Sequence, residues 1–236
     1  MINKKQFIKE TFNSHQINLD DNQIDMFLLY YDFLVEENEK YNLTAITDFE
    51  SVVYKHFLDS VLPYKHLKEN STIVDIGSGA GFPGVPLKIL RSDLKITLVD
   101  SLQKRVNFLN QLISKLNLKN IVAVHSRAED FCLNNREKFD YSVSRAVAQI
   151  PTLSEYLLPL VKIKGQVLMY KSQKLQEELE CGQTSIQVLG GKILNVLSFD
   201  INEIEAQRKI LVIDKIKQCP KIYPRGKNLP KTKPII

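Results

Sequence analysis

The sequence of 236 residues lacks a long hydrophobic run. A membrane-spanning helix needs about 20 consecutive apolar residues, and no apolar signal region follows the opening Met-Ile-Asn-Lys-Lys-Gln. We therefore expect a cytoplasmic protein without a membrane anchor. The 44% of hydrophobic and 25% of charged residues are ordinary values for one globular domain with an extension.

Cysteine and histidine are also sparse. The three cysteines, Cys132, Cys181 and Cys219, are widely spaced and odd in number, so they form neither a disulfide framework nor a metal-binding pattern. The four histidines are scattered, and we expect His56 and His125 to be packed or strand-end residues. With no Ser-His-Asp, Cys-His or metal constellation, the sequence predicts neither a metal site nor a nucleophilic triad.

Acidic residues are absent after Asp214, whereas seven basic residues follow, interleaved with four prolines. The basic residues are Lys215, Lys217, Lys221, Arg225, Lys227, Lys231 and Lys233. This pattern predicts an extended cationic tail over residues 217–236, suited to contacting phosphates. A solvated, partly disordered end is the alternative.

Residues 1–68 have helical periodicity and are predicted to form an N-terminal helical extension. In residues 20–40 the apolar positions recur every three or four residues, with Asp20 as a plausible N-cap. A second helix is predicted from Thr47, where Thr47 and Glu50 have the spacing of a capping box, to Pro63.

Strands and helices alternate from Ser71 onward, which predicts a second domain, of the α/β class, over residues 69–216. The predicted strands are 72–76, 95–99, 121–125, 139–143, 165–170, 192–199 and 209–214. The predicted helices are 85–91, 102–117, 127–135 and 151–162. Single helices between strands imply a parallel sheet covered on both faces, and the last two strands are expected to pair antiparallel. Periodicity alone supports a doubly wound α/β fold; seven strands with an antiparallel end are typical of Rossmann-like class I methyltransferases.

A glycine-rich turn follows the first strand. Residues 79–84 match G-x-G-x-x-G, and Asp100 ends the next strand, where a carboxylate can accept hydrogen bonds from a ribose diol. This spacing fits both a dinucleotide and S-adenosylmethionine. Asp75 extends the pattern to Asp-Ile-Gly-Ser-Gly-Ala-Gly, which favours S-adenosylmethionine, with Gly77, Gly79 and Gly81 at the cofactor.

Two further segments reach the same edge of the sheet. Ser126 to Asp130 opens a helix that offers a backbone N–H and a carboxylate to an adenine, although a plain helix start explains it too. Arg145 ends the fourth strand, and it can hold the cofactor, hold the target nucleotide or pair with a structural acid. The segment contains neither an Asn-Pro-Pro-Tyr motif nor a Pro-Cys nucleophile.

Taken together, these motifs resemble the bacterial family of small-subunit ribosomal RNA guanine-N7 methyltransferases, also called glucose-inhibited division protein B. The matching segments are Tyr41-Asn42-Leu43-Thr44, His56-Phe57-Leu58-Asp59-Ser60, Asp75 to Gly84, Asp100-Ser101, Lys104-Arg105, Phe108-Leu109, Arg127-Ala128-Glu129 and Ser144-Arg145-Ala146.

The resemblance implies an S-adenosylmethionine-dependent enzyme acting on 16S ribosomal RNA or the small subunit, expected as a monomer. It implies cofactor contacts from Gly77, Phe82, Ala128, Glu129 and Arg145, with Asp100 at the ribose. For RNA we expect contacts from Arg127, Lys171, Arg225 and Lys227. Lys171-Ser172 departs from the Lys-Gly that is usual in the family, which puts the turn there in doubt.

Guanine N7 has an in-plane lone pair and no proton to lose, so an in-line methyl transfer needs no general base. Arg145 is then expected to act by positioning, and the target base to be unpaired, because the major groove of A-form RNA is narrow. We expect the tail to clamp the RNA without affecting cofactor binding. A nicotinamide-dependent oxidoreductase, lacking an obvious Tyr-x-x-x-Lys pair, and a non-catalytic rRNA-binding assembly factor are the alternatives.

Overall fold

Seven strands form a single sheet in the computed structural model, which describes residues 3–171 and 175–236. The strands are β1 (Thr72–Ile76), β2 (Lys95–Asp100), β3 (Ile121–His125), β4 (Phe139–Arg145), β5 (Val161–Lys171), β6 (Gly191–Ile201) and β7 (Ala206–Lys215). Their order across the sheet is β3-β2-β1-β4-β5-β7-β6. The first five are parallel, and β7 pairs antiparallel with both β5 and β6. The predicted fold class and antiparallel end are confirmed.

Helices cover both faces of the sheet. The α-helices are α1 (Lys4–Ser14), α2 (Asp21–Tyr41), α3 (Phe49–Val52), α4 (Asp59–Val61), α5 (Gly84–Leu90), α6 (Gln103–Lys115), α7 (Ala128–Asn134), α8 (Ile150–Leu157), α9 (Leu175–Val188) and α10 (Leu229–Thr232). Short 3-10 turns lie at Tyr64–His66, Leu158–Leu160 and Asn202–Ile204. Neighbouring side chains of β1 point to opposite faces, so Ile73 belongs to one apolar core and Val74 to the other.

The N-terminal helices share a core with the sheet. Phe12 of α1 and Phe27 of α2 are fully buried in the same cluster as Ile73 of β1 and Phe108 of α6. The predicted boundary at residue 68 therefore separates two segments that bury their apolar surface against each other. α7, α8 and α9 cover the opposite face.

The helix after Thr47 differs from its prediction at the start and in its middle. Asp48, rather than Thr47, caps it, because its carboxylate accepts from the Ser51 N–H at 2.9 Å. Between α3 and α4 the chain forms a π-helical turn, Val53–Leu58. Such turns alter the usual hydrogen bonding and are frequent at functional sites. The N-cap predicted for α2 at Asp20 is present, and Gln23 completes a capping box with it.

The sequence analysis missed α9. Its buried residues Leu175, Gly182 and Ile186 form a helical stripe with a glycine in the middle. A Cβ at Gly182 would lie 2.3 Å from Cγ2 of Ile150, so glycine allows α9 to approach α8 closely. The remaining predicted strands and helices are present with small shifts of their ends.

The tail is packed rather than extended. α10 lies against α8, and Tyr223 and Ile235 pack on the apolar core beneath α7, α8 and α9. Among the described residues, no helix has the length and apolar character that crossing a membrane requires.

Candidate functional site

The glycine turn after β1 is tied to β2 through its backbone. The N–H groups of Gly77 and Ser78 both donate to the carbonyl of Val99, at 2.8 and 3.1 Å. Gly77, Gly79 and Gly81 have φ values of +74°, +58° and +101°, which glycine adopts without strain. The turn thereby keeps backbone, instead of side chains, at the carboxyl edge of the sheet.

Asp100 supports this turn directly. One of its carboxylate oxygens accepts from the N–H of Gly79 at 2.9 Å, and the other accepts from the N–H of Leu102 at 2.9 Å. Arg105 lies 3.3 Å away, and Asp100 is 3% exposed. Its neighbour Ser101 lines the adjacent cavity. A ribose contact of Asp100 stays a prediction; the observed contacts fix the loop.

The Asp75 side chain contacts the other end of the glycine turn. It is completely buried, and one oxygen accepts from the N–H of Gly84 at 3.0 Å. The other oxygen receives no hydrogen bond from the described residues. Burial consequently raises the pKa of Asp75 to about 7.

Gly81 and Phe82 face the N-terminal helices. A Cβ at Gly81 would lie 2.7 Å from the Tyr30 hydroxyl, and that hydroxyl donates to the Ala80 carbonyl at 2.5 Å. The Phe82 ring stacks on Tyr30 at 5.5 Å and on His56 at 4.5 Å. In this structure both residues thus join the turn to the helical extension; a cofactor contact from either stays a prediction.

A first cavity of about 390 Å³ opens beside the turn. It is lined by Ile76, Gly77, Val99, Ser101, Ser126, Arg127, Ala128, Glu129, Val147, Ala148, Thr152, Tyr156, Asn228 and Lys231. The structure therefore brings together four predicted site residues, Gly77, Arg127, Ala128 and Glu129. It adds two walls that the sequence analysis did not anticipate, one from α8 and one from the tail.

A second cavity of about 410 Å³ lies on the side of the helical extension. It is lined by Ile46, Lys55, His56, Asp59, Arg145, Ala146, Ala148, Tyr170, Lys171, Glu178, Arg208, Lys209 and Ile210. Five of these residues are lysine or arginine and two are carboxylates, so the cavity is cationic. Ala148 lines both cavities, which places them on the two sides of the loop after β4.

Arg145 is the centre of the second cavity. Its guanidinium donates to the Asp59 carboxylate at 2.7 Å and to the Lys55 carbonyl at 3.0 Å, and it lies 5.0 Å from the centroid of the Phe82 ring. Arg208 approaches the second oxygen of Asp59 at 3.1 Å. One buried carboxylate thus pairs with two arginines on different strands and offsets one of their two charges. Of the three roles open to Arg145 from sequence, the pairing with a structural acid is observed.

His56 completes this cluster as a neutral side chain. Burial and the nearby Arg145 lower its pKa to about 4. Its Nδ1 lies 3.3 Å from the Arg145 guanidinium, which can only donate, and its Nε2 lies 2.9 Å from the Thr44 hydroxyl. The same Nδ1 lies 3.1 Å from the Lys55 carbonyl, which can only accept, so a donor and an acceptor both face this nitrogen.

The other predicted RNA contacts are partly occupied within the protein. The Lys171 ammonium bonds to Glu178 at 2.5 Å and to the Ala148 carbonyl at 2.9 Å, and the Arg225 guanidinium binds Glu155. Lys227 is exposed. Their RNA contacts stay predictions, and the departure at Ser172 lies outside the described residues.

Asp59 and Arg208 were missed as site residues. Asp59 belongs to the segment His56 to Ser60. The polar residues His56 and Asp59 are three positions apart there, which places both on one face of a helix and could have indicated a site. Arg208 had no such signal, since only the β5–β7 pairing brings it to this edge of the sheet.

The chain matches a family model for GidB, described as rRNA small subunit methyltransferase G, over residues 23–211. It is 46% identical over 223 residues to a Clostridium botulinum protein named ribosomal RNA small subunit methyltransferase G, with 93% of each chain covered. A protein of the same name from Lactobacillus acidophilus is 45% identical over 240 residues, covering 99% of this chain and all of that one.

Solved structures support the same fold at low identity. A SAM-dependent methyltransferase from Aquifex aeolicus superimposes with a TM-score of 0.54 at 20% identity, covering 70% of this chain and 93% of that chain. The similarity concerns the sheet and its helices. Neither the oxidoreductase nor the non-catalytic alternative is supported by these matches.

Proposed function

This chain belongs to the GidB family, and we propose that it methylates the RNA of the small ribosomal subunit with S-adenosylmethionine as methyl donor. The predicted family membership is confirmed. The finer parts of the proposal are the acceptor atom, N7 of a guanine, and the assignment of the two cavities to cofactor and base.

The observation on which the proposal rests is the adjacency of two cavities at the loop after β4. Val147 and Ala148 line the first cavity, and Ala146 and Ala148 line the second. Ala146 has φ +58°, an uncommon conformation for a residue with a side chain. A donor bound in the first cavity and an acceptor bound in the second would meet at Ala148, the residue that both cavities share.

The first cavity fits S-adenosylmethionine. Its volume of about 390 Å³ lies in the range of sites for small ligands, and it combines the glycine backbone with the polar side chains of Ser101, Ser126 and Glu129. When bound, the cofactor supplies a methyl group activated on a sulfonium. Gly77 offers backbone close to the ligand, and Ala128 and Glu129 face the adenine.

The second cavity fits an extruded guanine. N7 needs no deprotonation, and a cationic, mostly buried cluster without a free general base suits this acceptor. His56 is neutral, with its pKa lowered to about 4, and Asp59 is occupied by two arginines. The lysines and arginines at the rim bind RNA phosphates, and this binding weakens with salt.

Besides holding Arg145 and Arg208 in place, Asp59 has an electrostatic role in the proposed reaction. Methylation at N7 moves a positive charge onto the purine, and the charges of Arg145 and Arg208 oppose that movement. By sitting between both guanidinium groups, the Asp59 carboxylate reduces the repulsion while keeping their donors in place. Arg145 therefore acts by position and hydrogen bonding.

The remaining elements of the proposal follow from the substrate. A guanine that enters a cavity of about 410 Å³ must leave its stack, so the target lies in an unpaired or distorted region of RNA. The chain acts as a monomer in the cytoplasm, on 16S rRNA or on the assembled subunit.

The test is methylation of small-subunit rRNA with radiolabelled S-adenosylmethionine, presented both as naked RNA and as assembled subunits. Borohydride reduction followed by aniline cleaves RNA at N7-methylguanine and so locates the product. A single cleavage site dependent on the protein is expected. Label on a ribose hydroxyl or an exocyclic amine would refute the guanine-N7 assignment, and no transfer despite cofactor binding would favour a non-catalytic role.

A further inference from the structure

The C-terminal tail reaches the first cavity, although it lies outside the residues that match the family model. Two of its residues, Asn228 and Lys231, line the same cavity as the segment Ser126 to Glu129. The sequence had suggested a tail dedicated to RNA. Its position also places it at the wall of the first cavity.

The tail is held there by a buried ion pair. Glu155 of α8 is completely buried, and it accepts from the Arg225 backbone N–H at 2.6 Å and from the guanidinium at 2.9 and 2.7 Å. The same guanidinium donates to the Lys233 carbonyl at 2.8 Å. Arg225 therefore fixes both ends of the segment 225–233 to α8.

Further contacts define the course of this segment. The Thr152 hydroxyl of α8 donates to the Pro230 carbonyl at 2.9 Å, directly beside the cavity. Lys227 and Asn228 both have positive φ, +56° and +59°. Such backbone conformations are costly for residues with side chains and persist where the surroundings enforce them. Here they turn the chain into α10, which brings Lys231 to the cavity.

We propose that Asn228 and Lys231 are cofactor-binding residues, so that the tail forms one wall of the S-adenosylmethionine pocket; the inference rests on the function proposed above. The Lys231 ammonium supplies donors and Asn228 both a donor and an acceptor, and both residues line the cavity together with Glu129. The adenosine half of the cofactor, with ring nitrogens, an exocyclic amine and ribose hydroxyls, matches that set.

The test is calorimetric titration of the full-length protein with S-adenosylhomocysteine. Lys231→Ala is expected to raise the Kd about tenfold, as for one hydrogen bond from a charged donor, and Lys231→Arg to restore part of the loss. Lys233→Ala is the matched control, because Lys233 lies in the same tail and its side chain is absent from the cavity wall. Its Kd should stay within about twofold of the wild type.

Hydrogen exchange gives a readout that needs no substitution. The amides of Lys231, Thr232 and Lys233 donate within α10, and saturation with S-adenosylhomocysteine should slow their exchange. Equal affinities of wild type, Lys231→Ala and Lys233→Ala, with unchanged exchange in α10, would overturn the inference while leaving the proposed function intact. A wild-type protein that does not bind S-adenosylhomocysteine would instead refute the proposed function, and this inference with it.

Discussion

Arg145 and Asp59 form an ion pair of 2.7 Å although 86 residues separate them in the sequence. The pair joins the end of β4 to the N-terminal helical extension, at a π-helical turn that leaves the Lys55 carbonyl to accept from the same guanidinium. The extension is therefore a structural part of the second cavity. The position of Arg145 depends on it.

Replacing Asp59 tests this dependence. Asp59→Asn removes the negative charge that Arg145 and Arg208 share, and should lower the free energy of unfolding by about 3 kcal/mol, as for breaking a buried ion pair. Methyl transfer should fall more than cofactor affinity, because Asp59 lines only the second cavity. Urea unfolding and single-turnover methylation measure the two effects.

Asp25→Asn is the matched control for that experiment. Asp25 pairs with Lys5 at the surface, with both side chains more than half exposed, so its loss should change stability by at most about 0.5 kcal/mol. If Asp59→Asn behaved like Asp25→Asn in both assays, the carboxylate would have no organising role.

Arg208 should act on RNA binding and not on cofactor binding. Arg208→Ala removes a cation from the second cavity and leaves the first unchanged. If Arg208 neutralises one phosphate, the plot of log affinity against log salt should become shallower by about 0.7, the value per contact for single strands. Filter binding of rRNA fragments over a range of salt concentrations gives this slope, while S-adenosylhomocysteine affinity should stay constant.

Lys192→Ala provides the comparison for Arg208→Ala. Lys192 is exposed. On β6 it lies opposite Asp214 of β7, which in turn lies opposite Gln166 of β5, so Lys192 is at the end of these strands that is away from Arg208. It should leave both the salt slope and the affinity unaltered. Equal slopes for wild type and Arg208→Ala would place the phosphate contact elsewhere.

Two buried groups should make opposite contributions to the pH dependence of stability. The pKa of His56 is lowered to about 4 by burial and by Arg145, so its contribution to stability is lost as the pH falls from about 6.5 to 4. The pKa of Asp75 is raised to about 7 by burial. The contribution of Asp75 is fully present below about pH 4 and is lost as the pH rises through 7.

Single substitutions should separate these contributions, each on the order of 3 to 4 kcal/mol. Relative to the wild type, His56→Gln should become progressively less stable toward neutral pH, because the wild type gains the His56 contribution over this range and the variant does not. Asp75→Asn should show the opposite trend, since its amide keeps an acceptor for the Gly84 N–H. Urea unfolding between about pH 4 and 7 measures both; curves parallel to the wild type would show that neither group titrates as the structure implies.

Local patterns explain how much of the fold the sequence predicted. β1 and β2 are short apolar runs followed by glycine or polar residues, so their strands, the turn between 77 and 84, and the carboxylate Asp100 could be placed in advance. Arg208 and Lys231 could not, because each reaches its cavity through packing between distant elements. The orientation of Asp100 toward Gly79 also depends on tertiary contacts.

The missed helix α9 has a similar cause. Its apolar stripe is interrupted by Gly182, a residue that lowers helix propensity by about 1 kcal/mol relative to alanine. The close packing of Ile150 on α8 against Gly182 compensates for this loss of helix propensity, and the sequence does not show which residues pack together.

Gly182→Ala tests this explanation of α9. The new Cβ would lie 2.3 Å from Cγ2 of Ile150 and 2.9 Å from its Cβ, so overpacking should cost about 1–3 kcal/mol and exceed the gain of up to about 1 kcal/mol in helix propensity. Gly226→Ala is the control, because the methyl group that it adds would have no neighbouring atom within 4 Å; it should be neutral or slightly stabilising. Adding Ile150→Leu, which has no Cγ2, should recover part of the loss in a double-mutant cycle of urea unfolding. A destabilisation by Gly182→Ala that Ile150→Leu leaves unchanged would mean that some contact other than α8 requires the glycine.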